Sequence, residues 1–155
     1  MWYAILGAVL LAGDQILKYW VVTHLAVGES APFLPGFMQL TRLHNYGAAW
    51  SSFSGRTVLL VVFTAVLLAV VALLLLKKVV RHWTGVTACT LILSGGIGNI
   101  IDRIVHGYVV DMFDLQLFSY PVFNLADCCV VAGAIRGRDI LPVPLRQVRQ
   151  EKRGA

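Results

Sequence analysis

The segment from Thr57 to Leu76 constrains this chain most, because its twenty consecutive residues carry no charge. A helix of about 20 apolar residues is long enough to cross a hydrocarbon core of about 30 Å. The composition agrees, since 58% of the 155 residues are apolar and 14% are charged, against about 45–50% and 25% in soluble domains. The sequence therefore predicts an integral membrane protein.

Three further apolar segments accompany this one, so we predict a single membrane domain over residues 1–155, of the all-α class, built as a four-transmembrane-helix bundle. The expected helices cover residues 2–22, 57–76, 83–101 and 123–141. The outer loops would cover 24–55 and 102–120, followed at the end by a basic tail, 142–155. Residues 37–43 and 109–118 partly alternate between apolar and polar types, and the first stretch predicts a short hairpin.

Basic residues are concentrated in one short connection and near the C-terminus. Nine of the thirteen lie there, namely Lys77, Lys78, Arg81, Arg136, Arg138, Arg146, Arg149, Lys152 and Arg153. Lys and Arg accumulate on the cytoplasmic side of membrane proteins, so we expect both termini inside and both long loops outside. Basic residues are not interleaved with aromatic ones, so nucleic acid is not an expected partner.

Arg136 conflicts with a long, apolar fourth helix. It follows Asp127 by nine residues, which is about 13 Å along a helix axis. Either Asp127 lies well below the outer surface while Arg136 reaches the cytoplasmic headgroups, or this helix is short. We favour the first interpretation.

Two aspartates, Asp111 and Asp127, lie in or beside apolar sequence. A charge near the bilayer centre costs about 2.5–3.5 kcal/mol, so both acids need a role. Two carboxylates in a dry site cannot both ionise easily, so the charged one can take a proton from water while the neutral one binds a carbonyl. Peptide hydrolysis without a metal, ion binding and structural pairing all stay open, and a charge at a helix N-terminus would explain Asp127 alone.

Other polar residues recur at helical spacing. Asp14 and Lys18 share a helix face, as an ion pair or as part of a substrate site. Asn45 and Gly47 lie in the segment from His44 to Ser51, which is either a tightly packed helix entrance or an amide held over a substrate.

The third helix carries a stripe of small and polar residues at positions i, i+4, i+7 and i+8. Its members are Gly95, Asn99, Asp102 and Arg103. The stripe serves either helix packing or a polar site. Asn124 and Asp127 share a face at the start of the fourth helix.

Other chemistries find little support. The sequence has no H-E-x-x-H and no G-x-S-x-G motif, and its three cysteines show no C-x-x-C spacing. We therefore expect no metal and no cofactor. Asp114 is expected in a solvated loop.

Five motifs follow one another over nearly the whole chain. They are Asp14-Gln15-x-x-Lys18, His44-Asn45-x-Gly47-Ala48-Ala49, Gly95-Gly96-x-Gly98-Asn99-x-x-Asp102-Arg103, Val109-Val110-Asp111 and Phe123-Asn124-x-Ala126-Asp127. In these motifs and its four helices the chain resembles the bacterial lipoprotein signal peptidases (signal peptidase II), a family of four-helix membrane aspartyl proteases.

The resemblance implies that Asp111 and Asp127 are the catalytic dyad. It implies a supporting or substrate-binding set, which we expect to comprise Asp14, Lys18, Asn45, Gly47, Asn99, Asp102, Arg103 and Asn124. The first outer loop would be a small extracytoplasmic β-cradle on the membrane surface.

The same resemblance implies the substrate, a diacylglyceryl-modified prolipoprotein in the bacterial inner membrane, cleaved just before its lipid-bearing cysteine. Membrane lipid and globomycin-type peptide inhibitors are further expected partners, and we expect a monomer. The alternative prediction is a proton- or cation-coupled transport protein that uses the same acids, and the third is a membrane scaffold without enzymatic activity.

Overall fold

The computed structural model of this chain describes residues 2–47 and 55–137. Some expectations lie outside the described residues. These are the part of the His44 motif from Ala48 to Ser51, the end of the fourth helix at 138–141, and the basic tail at 142–155.

Four helices lie within the described residues: α1 Trp2–His24, α2 Thr57–Leu76, α3 Trp83–His106 and α4 Leu125–Gly137. Among them α1, α2 and α3 are long and apolar enough to cross a membrane. Helix α4 has 13 residues, or about 20 Å of length. On α2 only Leu68 is buried, and most of the other side chains are exposed and apolar, as on a helix that faces lipid.

The third helix is longer than predicted. It continues to His106, and Gly107 then ends it in the left-handed conformation, at φ 80°, with its N–H donated to the Arg103 carbonyl. Glycine is the residue that adopts this helix-ending conformation most easily. The prediction of a loop at 102–120 is therefore wrong for residues 102–106, which belong to α3. Asp102 and Arg103 project from this helix.

Helix α3 packs closely against three other helices through three glycines within four residues. A Cβ atom on Gly96 would lie 2.6 Å from Leu68 of α2, and one on Gly98 would lie 2.7 Å from the Asp14 carboxylate of α1. A Cβ atom on Gly95 would clash with the carbonyl oxygen of Ala126 on α4. Small residues let helix backbones approach in this way.

Helix α4 runs antiparallel to α3. Its first turn contacts Gly95, and Gly133 further along lies against the Ala88 carbonyl of α3. At the end, the Arg136 guanidinium lies 4.9 Å from the centre of the Trp83 ring. A cation over an aromatic face is attracted to it, which explains how Arg136 is accommodated at this end of the bundle.

A three-stranded antiparallel sheet caps the other end, with strands β1 Ser30–Leu34, β2 Met38–Asn45 and β3 Val109–Leu115 in that order. The β1–β2 hairpin is longer than the one predicted at 37–43. Strand β3 joins it from the segment between α3 and α4, so the fold is mostly helical with a small sheet.

The pairing of β2 with β3 decides where Asp111 points. Leu43 lies opposite Asp111 and Asn45 lies opposite Val109. Residues two apart in a strand share a face, so Asn45 and Asp111 are diagonal neighbours on one side of the sheet.

Arg42 fastens the sheet to the end of α1. Its Nη1 donates hydrogen bonds to the carbonyls of Val22 and Leu25, both at 2.9 Å. The last carbonyls of a helix lack partners within the helix and favour a cation. A buried cluster that includes Val21 and Met112 completes this joint.

The close contact at Gly95 generates a test. Gly95→Ala should lower the unfolding free energy by about 1–3 kcal/mol, as overpacking does, because the added methyl group meets backbone on α4. Thermal denaturation in detergent measures this. Gly13→Ala is the matched control, since its Cβ would make an ordinary 3.6 Å contact with Leu125. Equal midpoints for the two variants would contradict the packing described here.

Candidate active site

Asp111 and Asp127 line the same cavity, of about 700 Å³. Asp111 is the third residue of β3 and is 1% exposed. Asp127 lies in the first turn of α4 and is partly exposed. The fold thus brings together two acids that are sixteen positions apart in the chain.

Asn124 connects the two carboxylates. Its Nδ2 donates to Asp111 Oδ1 at 2.7 Å, and its backbone N–H donates to Asp127 Oδ2 at 3.2 Å. In return, the Asp127 backbone N–H donates to Asn124 Oδ1 at 2.9 Å. This reciprocal pair is the capping box that commonly starts a helix, so the turn that begins α4 also fixes the spacing of the two acids.

Two further asparagines hold the remaining carboxylate oxygens. Asn45 Nδ2 donates to Asp111 Oδ2 at 2.9 Å, and Asn99 Nδ2 donates to Asp127 Oδ1 at 2.8 Å. Each oxygen of both acids therefore accepts a hydrogen bond from an asparagine. Carboxylates held from both sides keep their orientation toward the cavity.

A buried ion triad lies beside the pair. The Lys18 ammonium lies 2.8 Å from Asp14 and 3.0 Å from Asp102, and all three side chains are at most 4% exposed. Its third contact is Asn99 Oδ1, at 3.1 Å. An ammonium has three donors, and each of them has an acceptor here. Asp14 and Lys18 therefore form an ion pair in the structure, and this pair extends to Asp102.

The triad anchors both segments that carry the acids. Asp14 Oδ1 accepts the backbone N–H of Ala126 at 2.9 Å, immediately before Asp127. Asp102 Oδ2 accepts the backbone N–H of Val110 at 3.0 Å, immediately before Asp111. A single buried cluster therefore sets the positions of β3 and α4 together.

Gln15 completes this cluster and was not among the predicted site residues. Its Nε2 donates to Asp14 and Asp102, both at 3.2 Å, and more weakly to the Gly98 carbonyl. Its position in the motif Asp14-Gln15-x-x-Lys18 was the sequence feature that could have identified it as a site residue. As an amide between two acids it adds donors without adding charge.

Arg103 and Gly47 meet at the rim of the site. Arg103 Nη2 donates to the Gly47 carbonyl at 2.8 Å, and Nη1 donates to the Asn99 carbonyl at 3.3 Å. The Gly47 N–H donates to Asn45 Oδ1 at 2.9 Å. Arg103 also lines the cavity, so its positive charge faces the same space as the two acids.

The prediction for Asp114 was wrong. Asp114 lies in β3, is half-buried, and accepts hydrogen bonds from Gln39 at 2.7 Å and Thr41 at 3.3 Å. The pairing of β3 with β2 brings these partners across. Asp114 takes no part in the hydrogen bonds around Asp111 and Asp127.

Comparison with known proteins gives consistent results. The sequence profile of the family described as "Signal peptidase (SPase) II" matches residues 6–137. A lipoprotein signal peptidase of Enterococcus faecalis is 39% identical over 133 residues, which cover 86% of this chain and 83% of that protein. Another, from Lactiplantibacillus plantarum, is 40% identical over 136 residues, covering 87% and 91%.

Two solved structures described as bacterial membrane enzymes, determined by the in meso method, share the fold. One has a TM-score of 0.83 at 29% identity, covering 86% of this chain and 83% of the other. The second has a TM-score of 0.81 at 30% identity, covering 90% and 91%. These findings favour the peptidase prediction over the transport alternative.

The ion triad predicts a large effect of removing its cation. Lys18→Met should destabilise the protein by about 3–5 kcal/mol, because removing one partner of a buried ion pair leaves uncompensated charge. Adding Asp14→Asn should recover part of this loss by neutralising one of the two orphaned acids. Thermal denaturation in detergent checks both, with Lys77→Met as the control at an exposed position. A Lys18→Met midpoint equal to that of Lys77→Met would contradict a structural role for the triad.

Proposed function

The chain belongs to the signal peptidase II family, and on that premise we propose that it is an intramembrane aspartic endopeptidase that uses Asp111 and Asp127 to activate water. As a member of this family it is a hydrolase that acts in lipoprotein processing. The proposed substrate is a prolipoprotein with diacylglycerol on the cysteine that becomes the new N-terminus, and the proposed cut lies just before that cysteine.

One observation carries the proposal: the two carboxylates lie at one cavity with every oxygen bonded by an asparagine. Burial first, and the neighbouring Asp127 carboxylate second, raise the pKa of Asp111 to about 7. A pair with a raised pKa retains one proton near neutral pH. One carboxyl group is then neutral and the other charged, as water activation requires.

The proposed reaction proceeds in two steps with no metal and no covalent intermediate. In the first, the ionised carboxylate takes a proton from water, the water oxygen bonds to the scissile carbonyl carbon, and the neutral carboxyl group protonates the carbonyl oxygen. These changes give a tetrahedral diol. In the second step its carbon–nitrogen bond breaks, and the leaving amine takes the proton that the first carboxylate had accepted from water. A hydroxyl group of the diol returns a proton to the carboxyl group that had protonated the carbonyl oxygen. The pair ends with one proton, as it began.

The surrounding residues would act by position. We assign Asn45, Asn99 and Asn124 to orienting the acids. Asp14, Lys18 and Asp102 would hold the segments that carry them. Arg103, fixed by the Gly47 carbonyl, would face the substrate in the cavity.

The position of α4 supports a site below the outer surface of the membrane. Asp127 bonds to Asn99, which lies seven residues before the end of α3 at His106, or about 10 Å along the axis. The cavity is lined by Thr64 of α2 and Val131 of α4, so it extends between these two helices. A lipid-bearing precursor would enter the cavity there, from the side of the bundle.

We further propose that α4 and the residues after it complete a fourth span, and that the sheet forms a cradle on the outer surface of the inner membrane. The basic connection and both termini would then be cytoplasmic. The protein would act as a monomer and would bind globomycin-type peptides in the same cavity as the substrate.

Substitution of each acid tests the mechanism. Asp111→Asn and Asp127→Asn should each lower the cleavage rate of a diacylglyceryl-modified precursor at least about 100-fold, the scale of general acid–base catalysis. Gel separation of precursor and product measures the rate in detergent or liposomes. Asp114→Asn is the matched control on the same strand, and it should cleave within about twofold of the unmodified enzyme because Asp114 bonds to Gln39 outside the site.

Each variant must denature at a temperature similar to that of the parent, so that lost cleavage is not lost folding. Cleavage by Asp111→Asn or Asp127→Asn at a rate near that of Asp114→Asn would end the proposal.

A further inference from the structure

A second groove lies apart from the candidate active site. It has a volume of about 750 Å³ and is lined by α1, α3, the end of α2 and the connection that follows α2, and it shares no lining residue with the cavity of Asp111 and Asp127. Its walls are mostly apolar. The two hydroxyl groups on α3, of Thr90 and Ser94, are bonded to carbonyl oxygens of their own helix, so they offer no strong site for a polar ligand.

The length of the groove matches one membrane leaflet. Its lining on α3 runs from Val86 to Ile97, which is about 16 Å of helix. Half of a hydrocarbon core of about 30 Å is close to this value. On α1 the lining starts at Tyr3 and ends at Leu11, within the half that precedes the buried triad.

Two cations, Lys78 and Arg81, line the groove where the connection that follows α2 borders it. Arg81 Nε donates a hydrogen bond to the Lys78 carbonyl at 3.0 Å, which keeps both residues at the same place. Neither forms an ion pair with an acid within residues 2–47 and 55–137. This end of the groove therefore presents two positive charges, which no acid of the described residues neutralises, next to an apolar wall.

The backbone conformation of Lys78 also indicates that its charge has a role at the groove. Lys78 follows α2 in the left-handed conformation, at φ 53°, and the N–H groups of Lys78 and Val79 bond to the carbonyls of Leu75 and Leu74. This is a Schellman helix end, where glycine is the usual residue because side chains disfavour the conformation. A lysine is held here in a conformation that glycine adopts more easily, which points to a use for its charge.

We propose that this groove binds an anionic phospholipid of the cytoplasmic leaflet, with one acyl chain along α1 and α3 and the phosphate at Lys78 and Arg81. The proposal rests on the membrane orientation proposed above, which places the connection after α2 inside. The cytoplasmic leaflet carries the anionic lipids that attract basic residues close to the membrane. The apolar wall accepts any acyl chain, and the two cations supply the preference for a negative headgroup.

Native mass spectrometry of the full-length protein in neutral detergent tests the proposal with phosphatidylglycerol and, as the zwitterionic comparison, phosphatidylcholine. The unmodified protein should bind phosphatidylglycerol at least about tenfold more tightly. The double variant Lys78→Gln/Arg81→Gln should lose about 30-fold in affinity for phosphatidylglycerol, since each basic residue near an anionic lipid surface contributes about fivefold. Lys77→Gln, in the same connection but outside the groove, is the matched control and should retain binding.

Two more variants separate charge from shape and from folding. Ala8→Phe, which fills the groove from an exposed position on α1, should weaken the binding of both lipids. Lys78→Gly should raise the midpoint of thermal denaturation in lipid-free detergent, since glycine suits the left-handed backbone, yet weaken phosphatidylglycerol binding. That combination excludes misfolding as the cause of lost binding.

Four results would overturn the proposal. Equal affinity of the unmodified protein for the two lipids would mean an ordinary boundary lipid. An equal loss in Lys77→Gln and in the double variant would mean unspecific charge attraction. Competition by glycerol 1-phosphate at micromolar concentration would mean a site for free phosphate esters, and displacement of the lipid by a synthetic apolar signal-peptide helix would mean a peptide site.

Discussion

The contact of one ammonium with two buried carboxylates underlies the rest of this structure. Lys18 lies between Asp14 of α1 and Asp102 of α3, and each acid uses another oxygen lone pair to bind a backbone N–H, of Ala126 or of Val110. Charges buried in a low-dielectric interior are tolerated only when every donor and acceptor is satisfied. Through these contacts the cluster sets the positions of the two segments that carry Asp111 and Asp127.

Asn124 shows how one residue serves both fold and site. Its side chain and backbone form the capping box with Asp127 that starts α4, and the amide of the same side chain reaches Asp111. The positive end of the helix dipole favours the negative charge of Asp127. The same few hydrogen bonds therefore fix the residue at which α4 begins, the position of α4 against α3 at Asn99, and the relative placement of the two carboxylates.

Much of this arrangement could be predicted from local sequence, and the rest depends on contacts between distant segments. The uncharged run of α2 defines that helix to the residue, and the stripe from Gly95 to Arg103 places its polar members on one face. The pairing of β2 with β3 is different, since Leu43 and Asp111 are far apart in sequence and no local period encodes their register. The misplacement of Asp114 follows directly from that missing pairing. Similarly, the ring of Trp83 that accommodates Arg136 belongs to another helix.

The central claim is that the carboxyl groups of Asp111 and Asp127 interact electrostatically across one cavity. Carbon-13 NMR of protein that contains carboxyl-labelled aspartate measures this interaction directly. Because burial and the neighbouring acid raise the pKa of Asp111 to about 7, its carboxyl signal should titrate near neutral pH in the unmodified protein. In Asp127→Asn the negative neighbour is gone, so the pKa of Asp111 should fall and the titration should move to lower pH. An Asp111 titration that is unchanged in Asp127→Asn would show that the two acids do not form a pair.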